Sequence, residues 1–227
     1  MALLIFAVLS LLVAGELQAG VVVGGTRFIF PADRESISIL LTNTSQESWL
    51  INSKINRPTR WGEASTVPAP LLAAPPLILL KPGTTGTLRL LRTESDILPV
   101  DRETLFELSI ASVPSGKVEN QSVKVAMRSV FKLFWRPEGL PGDPLEAYQQ
   151  LRWTRNSQGV QLTNPTPYYI NLIQVSVNGK ALSNVGVVPP KSQRQTSWCQ
   201  AIAPCHVAWR AINDYGGLSA KKEQNLP

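Results

Sequence analysis

The string Ser122-Val123-Lys124-Val125-Ala126-Met127-Arg128 continues through Ser129 and Val130 into Phe131-Lys132-Leu133-Phe134-Trp135-Arg136-Pro137. It stops at Glu138-Gly139-Leu140-Pro141-Gly142-Asp143-Pro144. In the first part the odd positions Val123, Val125 and Met127 are apolar and the even ones mainly small or charged, the period of a strand that shows one apolar row. The closing prolines and glycines allow neither regular helix nor central strand, so residues 138–144 read as a linker. The chain therefore divides into two units, 20–137 and 145–227.

Working outward, each unit is a series of short β-rich runs broken by turn residues. Before the linker these are Val21 to Phe30, Ser36 to Thr42, Trp49 to Ile55, Leu77 to Leu80, Thr87 to Arg92, Thr104 to Ala111 and Ser122 to Trp135. Seven candidates joined by turns predict an immunoglobulin-like sandwich. After the linker come Leu151 to Trp153, Val160 to Thr163, Tyr168 to Val177, Arg194 to Trp198 and His206 to Ile212, a smaller β domain. The expected fold class is all-β. Taken alone, the Val123, Val125 and Met127 row reads as part of the first sandwich's core.

At the N-terminus, Ala2 to Ala14 has Ser10 as its one polar residue. An apolar run of about 13 residues is too short to span a membrane but suits the core of a secretory signal, although no Lys or Arg precedes it. Residues 1–19 are read as a cleavable signal, the mature chain starting at Gly20 with no membrane insertion afterwards. Export implies an oxidising compartment, where Cys199 and Cys205 would pair. Five residues including Pro204 separate them, unlike the two of a redox motif, so the bond is expected to be structural.

Composition excludes several classes. With 44% hydrophobic residues, the chain is neither disordered nor collagen-like. A net charge of +6 spread along the sequence lacks the concentrated basic stripe of a nucleic-acid binder. One histidine and two cysteines cannot build a multi-histidine or four-cysteine metal site. His206 lies inside the presumed disulfide hairpin with no nucleophile elbow or phosphate loop anywhere, and Glu94/Asp96 and Asp101/Glu103 sit where capping or salt bridging explains them. No enzymatic activity, metal or cofactor is expected. Two cations in the aromatic stretch are harder to explain: Lys132 needs solvent or an anion in a cleft, and Arg136 needs a buried carboxylate.

Several strings together resemble the periplasmic pilus-assembly chaperones of the chaperone–usher family. They are Thr26-Arg27-Phe28-Ile29-Phe30-Pro31, Ala74-Pro75-Pro76-Leu77 with Leu80-Lys81-Pro82-Gly83, Asp101-Arg102-Glu103-Thr104-Leu105-Phe106, Phe131 to Pro137, Asn164-Pro165-Thr166-Pro167-Tyr168-Tyr169, and Ile212-Asn213-Asp214-Tyr215-Gly216. The resemblance implies two immunoglobulin-like β-sandwich domains set at an angle. It implies that Arg27 and Lys132 anchor the C-terminal carboxylate of a pilus subunit. It further implies that Val123, Val125 and Met127 form a donor strand lent to a subunit lacking its own final strand, and that Glu103, Arg136 and Asp214 form an interdomain ionic network. The implied partners are pilus subunits and an outer-membrane usher, and the implied compartment is the periplasm. A cis prolyl bond is expected at Pro75-Pro76, and the short Val113-to-Ser122 connection matches the short-loop subclass. Because Lys132 has the opposite parity to the apolar row, a bulge, bend or strong twist is expected between them if both are to touch the same ligand. The competing reading is an exported tandem-sandwich adhesin or ligand-binding module, which would bury the row and have no use for paired cleft cations.

Overall fold

The structure is a computed structural model in which residues 20–58, 64–93, 98–116, 125–183, 185–200 and 204–227 are described. The first unit contains β1 (Val21–Val23), β2 (Arg27–Pro31), β3 (Ser36–Asn43), β4 (Ser48–Pro58), β5 (Ala64–Pro68), β6 (Leu71–Ala74), β7 (Leu77–Leu80), β8 (Thr85–Arg92), β9 (Thr104–Ser115) and β10 (Met127–Arg136). The second contains β11 (Arg152–Asn156), β12 (Gly159–Asn164), β13 (Ile170–Val177), β14 (Lys180–Ala181), β15 (Val187–Val188), β16 (Ser192–Thr196), β17 (Cys205–Ile212) and β18 (Lys222–Leu226).

In the first unit a four-stranded sheet, β1-β3-β8-β6, faces a six-stranded one ordered β2-β10-β9-β4-β5, with β7 also paired to β4. Alternation fills the space between them: Ile39 and Leu41, Ile51, Leu88 and Leu90, Phe106, Leu108 and Ile110, and Leu133 and Trp135 are all buried. Phe30 stacks on Trp135 at 5.3 Å between centroids. The second unit packs β11-β12-β16 against β14-β13-β17-β18, with β15 on β13, around Trp153, Leu162, Val175, Val207 and Trp209. Cys199 and Cys205 are disulfide-bonded at the margin of that core.

The expected single strand from Val21 to Phe30 is two strands in different sheets. At Gly24-Gly25 the chain leaves β3 and crosses to β10: Gly24 N still donates to Leu40 O at 3.0 Å, and Gly25 N then closes a tight turn onto Val23 O at 2.8 Å. β2 next runs parallel to β10, with Arg27 opposite Lys132 and Pro31 opposite Arg136. The cis prolyl bond lies one residue earlier than expected, between Ala74 and Pro75. Five strands escaped the sequence reading: β5, β6, β14, β15 and β18. All are short, and they carry little alternation.

β10 is uneven from end to end. Its ladder with β9 is unbroken from Met127↔Ser112 to Trp135↔Thr104, so of the expected bulge, bend or strong twist there is no bulge over those residues. Odd residues Leu133 and Trp135 enter the sandwich core, while even residues Lys132, Phe134 and Arg136 face the second unit, where Phe134 lies 5.6 Å from the ring of Tyr169. Toward its N-terminus the same odd row runs out of the sandwich, and Met127 is 61% exposed.

Candidate functional site

β2 covers one edge of β10 only from Lys132 to Arg136. From Met127 to Phe131 that edge has no strand beside it among the described residues, so its backbone N–H and C=O groups are open. Val125, just ahead of the strand, is 63% exposed. Val123, the third member of the apolar row, lies outside the described residues. Two exposed apolar residues beside an open edge are therefore not part of this chain's own core.

Where the open edge ends, the parallel register sets Arg27 and Lys132 side by side. Arg27 Nη1 donates to Ile212 O of the second unit at 3.0 Å, and its Nε is buried without an acceptor among the described residues. An orphaned guanidinium donor is unusual, since buried polar groups are nearly always paired. Burial lowers the pKa of both cations: in Arg27 attraction from Asp214 opposes the fall, while in Lys132 the charge of Arg27 deepens it and Glu107 resists it. Two neighbouring cations, partly dehydrated, are suited to an anion.

Four residues further along, Arg136 is differently placed. Its Nε donates to Glu103 Oε1 at 2.7 Å, Nη1 donates to Asp214 Oδ2 at 2.7 Å and Nη2 to Asp214 Oδ1 at 3.1 Å. Glu103 is 3% exposed and also accepts the Tyr169 backbone N–H through Oε2 at 2.7 Å. Burial raises the Glu103 pKa, with Arg136 and that N–H pulling against it. Burial also works to lower the pKa of Arg136, but the bonds to Asp214 and the attraction of both carboxylates outweigh it and raise the value. Asp214 is presented by the Asn213–Gly217 turn, whose Asn213 Oδ1 accepts the N–H groups of Tyr215 and Gly217. Gly216 has φ +83° and a Cβ there would meet Thr26 Oγ1 at 2.8 Å, so only glycine lets the turn seat against the first unit. Lys191 Nζ adds an exposed ion pair to Asp101 at 2.6 Å.

The structure thus brings Arg27 to Lys132, and Glu103 to Arg136 and Asp214; Cys199 and Cys205 lie apart in the second unit. Sequence reasoning passed over Glu107, which stands opposite Lys132 on β9 and is 1% exposed. A signal for it exists: Glu103 and Glu107 are four apart, as are Lys132 and Arg136, and an antiparallel register that sets Lys132 opposite Glu107 brings Arg136 to Glu103.

Two family descriptions match. The N-terminal domain of the pili and flagellar-assembly chaperone PapD covers residues 20–141, and the C-terminal domain of the pili assembly chaperone PapD covers 146–223. The chain is 99% identical over 229 residues to the fimbrial chaperone YcbF of Escherichia coli K12, covering 100% of this chain and 97% of the relative. It is 32% identical to the chaperone protein FimC of Escherichia coli K12, covering 94% and 87%. Among solved structures, a complex of Salmonella enterica SafA pilin with the SafB chaperone matches at 30% identity and a TM-score of 0.78, covering 93% of this chain and 98% of that one. With both domains matched and non-enzymatic assembly chaperones on every side, this chain belongs to the pilus-assembly chaperone family.

Proposed function

We propose that this protein is a periplasmic chaperone that captures pilus subunits, completes their fold with its own β10 and passes them to an outer-membrane usher. The observation that carries the reading is the coincidence of an open strand edge with a cation pair at its end. A subunit missing one strand has an exposed groove. β10 offers it main-chain hydrogen bonds along Met127 to Phe131, with Val123, Val125 and Met127 as the apolar row that enters its core. Arg27 and Lys132 hold the subunit's terminal carboxylate by charge-assisted hydrogen bonds. Within β10, Met127 of the row and Lys132 lie on opposite faces of a ladder that no bulge interrupts.

Glu103, Arg136 and Asp214 have the other role in this reading, fixing one domain against the other so that the cleft keeps its shape. Residues 1–19 serve as the cleaved signal, 20–137 and 145–227 as the two domains and 138–144 as the linker; in that linker Leu140 O and Gly142 O accept the Tyr168 hydroxyl at 3.2 and 3.1 Å. No helix among the described residues is long and apolar enough to cross a membrane. Co-expression with a pilus subunit tests the proposal. The chaperone is expected to protect the subunit from degradation and to co-purify with it, and an unprotected subunit in the presence of folded, exported chaperone would refute it.

A further inference from the structure

Lys132 belongs to a row that crosses four strands: Arg27 on β2, Lys132 on β10, Glu107 on β9 and Asn56 on β4 occupy successive register positions. Glu107 and Asn56 are both buried, at 1% and 6% exposure. A carboxylate buried this deeply is costly unless a cation answers it, and the cation opposite is Lys132. Lys132 in turn has a second cation, Arg27, at its other side. We propose that Glu107 is a positioning residue of the anchor, its carboxylate keeping Lys132 protonated and aligned in the cation row while the site awaits a ligand. The inference rests on the reading of Arg27 and Lys132 as the carboxylate anchor.

The charged groups around Lys132 are Arg27 from β2, Glu107 from β9 and, beyond Arg27, Asp214 from the second domain; on its own strand Arg128 and Arg136 stand four residues to either side. Burial and Arg27 both push Lys132 toward the neutral amine, and Glu107 opposes them. Without the Glu107 charge the two lowering influences act unopposed, so Lys132 loses its proton at a lower pH. A neutral amine does not hold a carboxylate. Subunit binding therefore falls as pH rises through the Lys132 pKa, which already lies below the ordinary 10.5, and loss of Glu107 moves that fall to lower pH.

The test uses the mature protein with 13C-labelled lysine, the Lys132 Cε resonance being assigned by its loss in Lys132→Arg. In Glu107→Gln the Lys132 titration midpoint should drop by about one pH unit or more, a tenfold weakening of proton affinity. An unchanged midpoint overturns the proposal. If Glu107→Gln does not fold, Glu107→Met, similar in length and free of polar groups, supports the same titration with the same two outcomes. In parallel, a synthetic peptide of a subunit's C-terminal strand is measured as free acid and as amide across the pH range. The acid should bind at least tenfold better, and its affinity should fall at lower pH in Glu107→Gln than in the native chain. Equal binding of acid and amide would sink the anchor reading and this role with it, whereas acid-selective binding with the same pH profile in both chains would sink the role of Glu107 alone.

Discussion

Lys132 and Arg136 stand four residues apart on the same face of β10; Lys132 has Glu107 opposite it on β9, and Arg136 bonds Glu103, just ahead of β9. They differ in the third member. Arg136 receives a second carboxylate, Asp214, from the other domain, and its guanidinium is satisfied on both sides. Lys132 receives a second cation, Arg27, and positive charge is left over. The first cluster sets one cation between two carboxylates; the second sets two cations beside Glu107, with Arg27 Nε buried and lacking an acceptor among the described residues. In the proposed reading, the sign of one added residue on the same strand separates a clamp from a receptor.

The comparison is attacked hardest at its closed end. Arg136→Ala leaves Glu103 and Asp214 facing each other in a partly buried interface and should cost about 3–5 kcal/mol in chemical denaturation. A double-mutant cycle with Asp214→Ala should give a coupling of about 0.5–3 kcal/mol; additivity within error would mean that the cluster is no clamp. At the open end, Lys132→Ala should abolish subunit capture, and because it uncovers buried Glu107 it should also lose about 1–3 kcal/mol. Adding Glu107→Gln should return most of that stability without returning capture. Recovery of capture in the double variant would place the receptor elsewhere.

Replacing Cys199 and Cys205 by Ser removes a small loop from outside both clusters. About 2 kcal/mol should be lost on the chain-entropy estimate, with subunit pull-down unchanged. The smallest effect on the fold belongs to Val125→Asp. At 63% exposure the side chain has little core to lose, so the melt should shift by no more than the roughly 0.5 kcal/mol of a surface change. Capture should nevertheless fail, because a carboxylate would enter the partner's core unpaired. A large melting loss would return the row to this protein's own core.

Much of this was legible in the sequence because it is written in parity and charge. The alternation of Val123, Val125 and Met127, the breakers after Arg136 and the unexplained cations among aromatics each have a local signature. The split at Gly24-Gly25 does not: Val21 to Phe30 reads as one apolar strand, and only the competition between β3 and β10 for its backbone decides where it breaks. Glu107 hid for a related reason. Its meaning lies in the residue across the ladder, and register is a tertiary fact until the sheet is assembled. The Arg27 bond to Ile212 O spans the two domains and uses a carbonyl, which carries no side-chain signal at all.

The sheet change at Gly24-Gly25 also gives the ladder a point from which to count. β2 begins at Arg27, parallel to β10, so a subunit strand ending at the cations must run the same way and stop where β2 starts. Each residue along such a strand advances about 3.3 Å, and a slip of one residue would turn every side chain to the wrong face. If the terminal carboxylate is held at Arg27 and Lys132, as proposed, a misregistered subunit either leaves its last charge short of the cations or runs its end into the start of β2. On that proposal the anchor is a ruler with its zero at the chain end, reading a subunit by length before any of its side chains is tested.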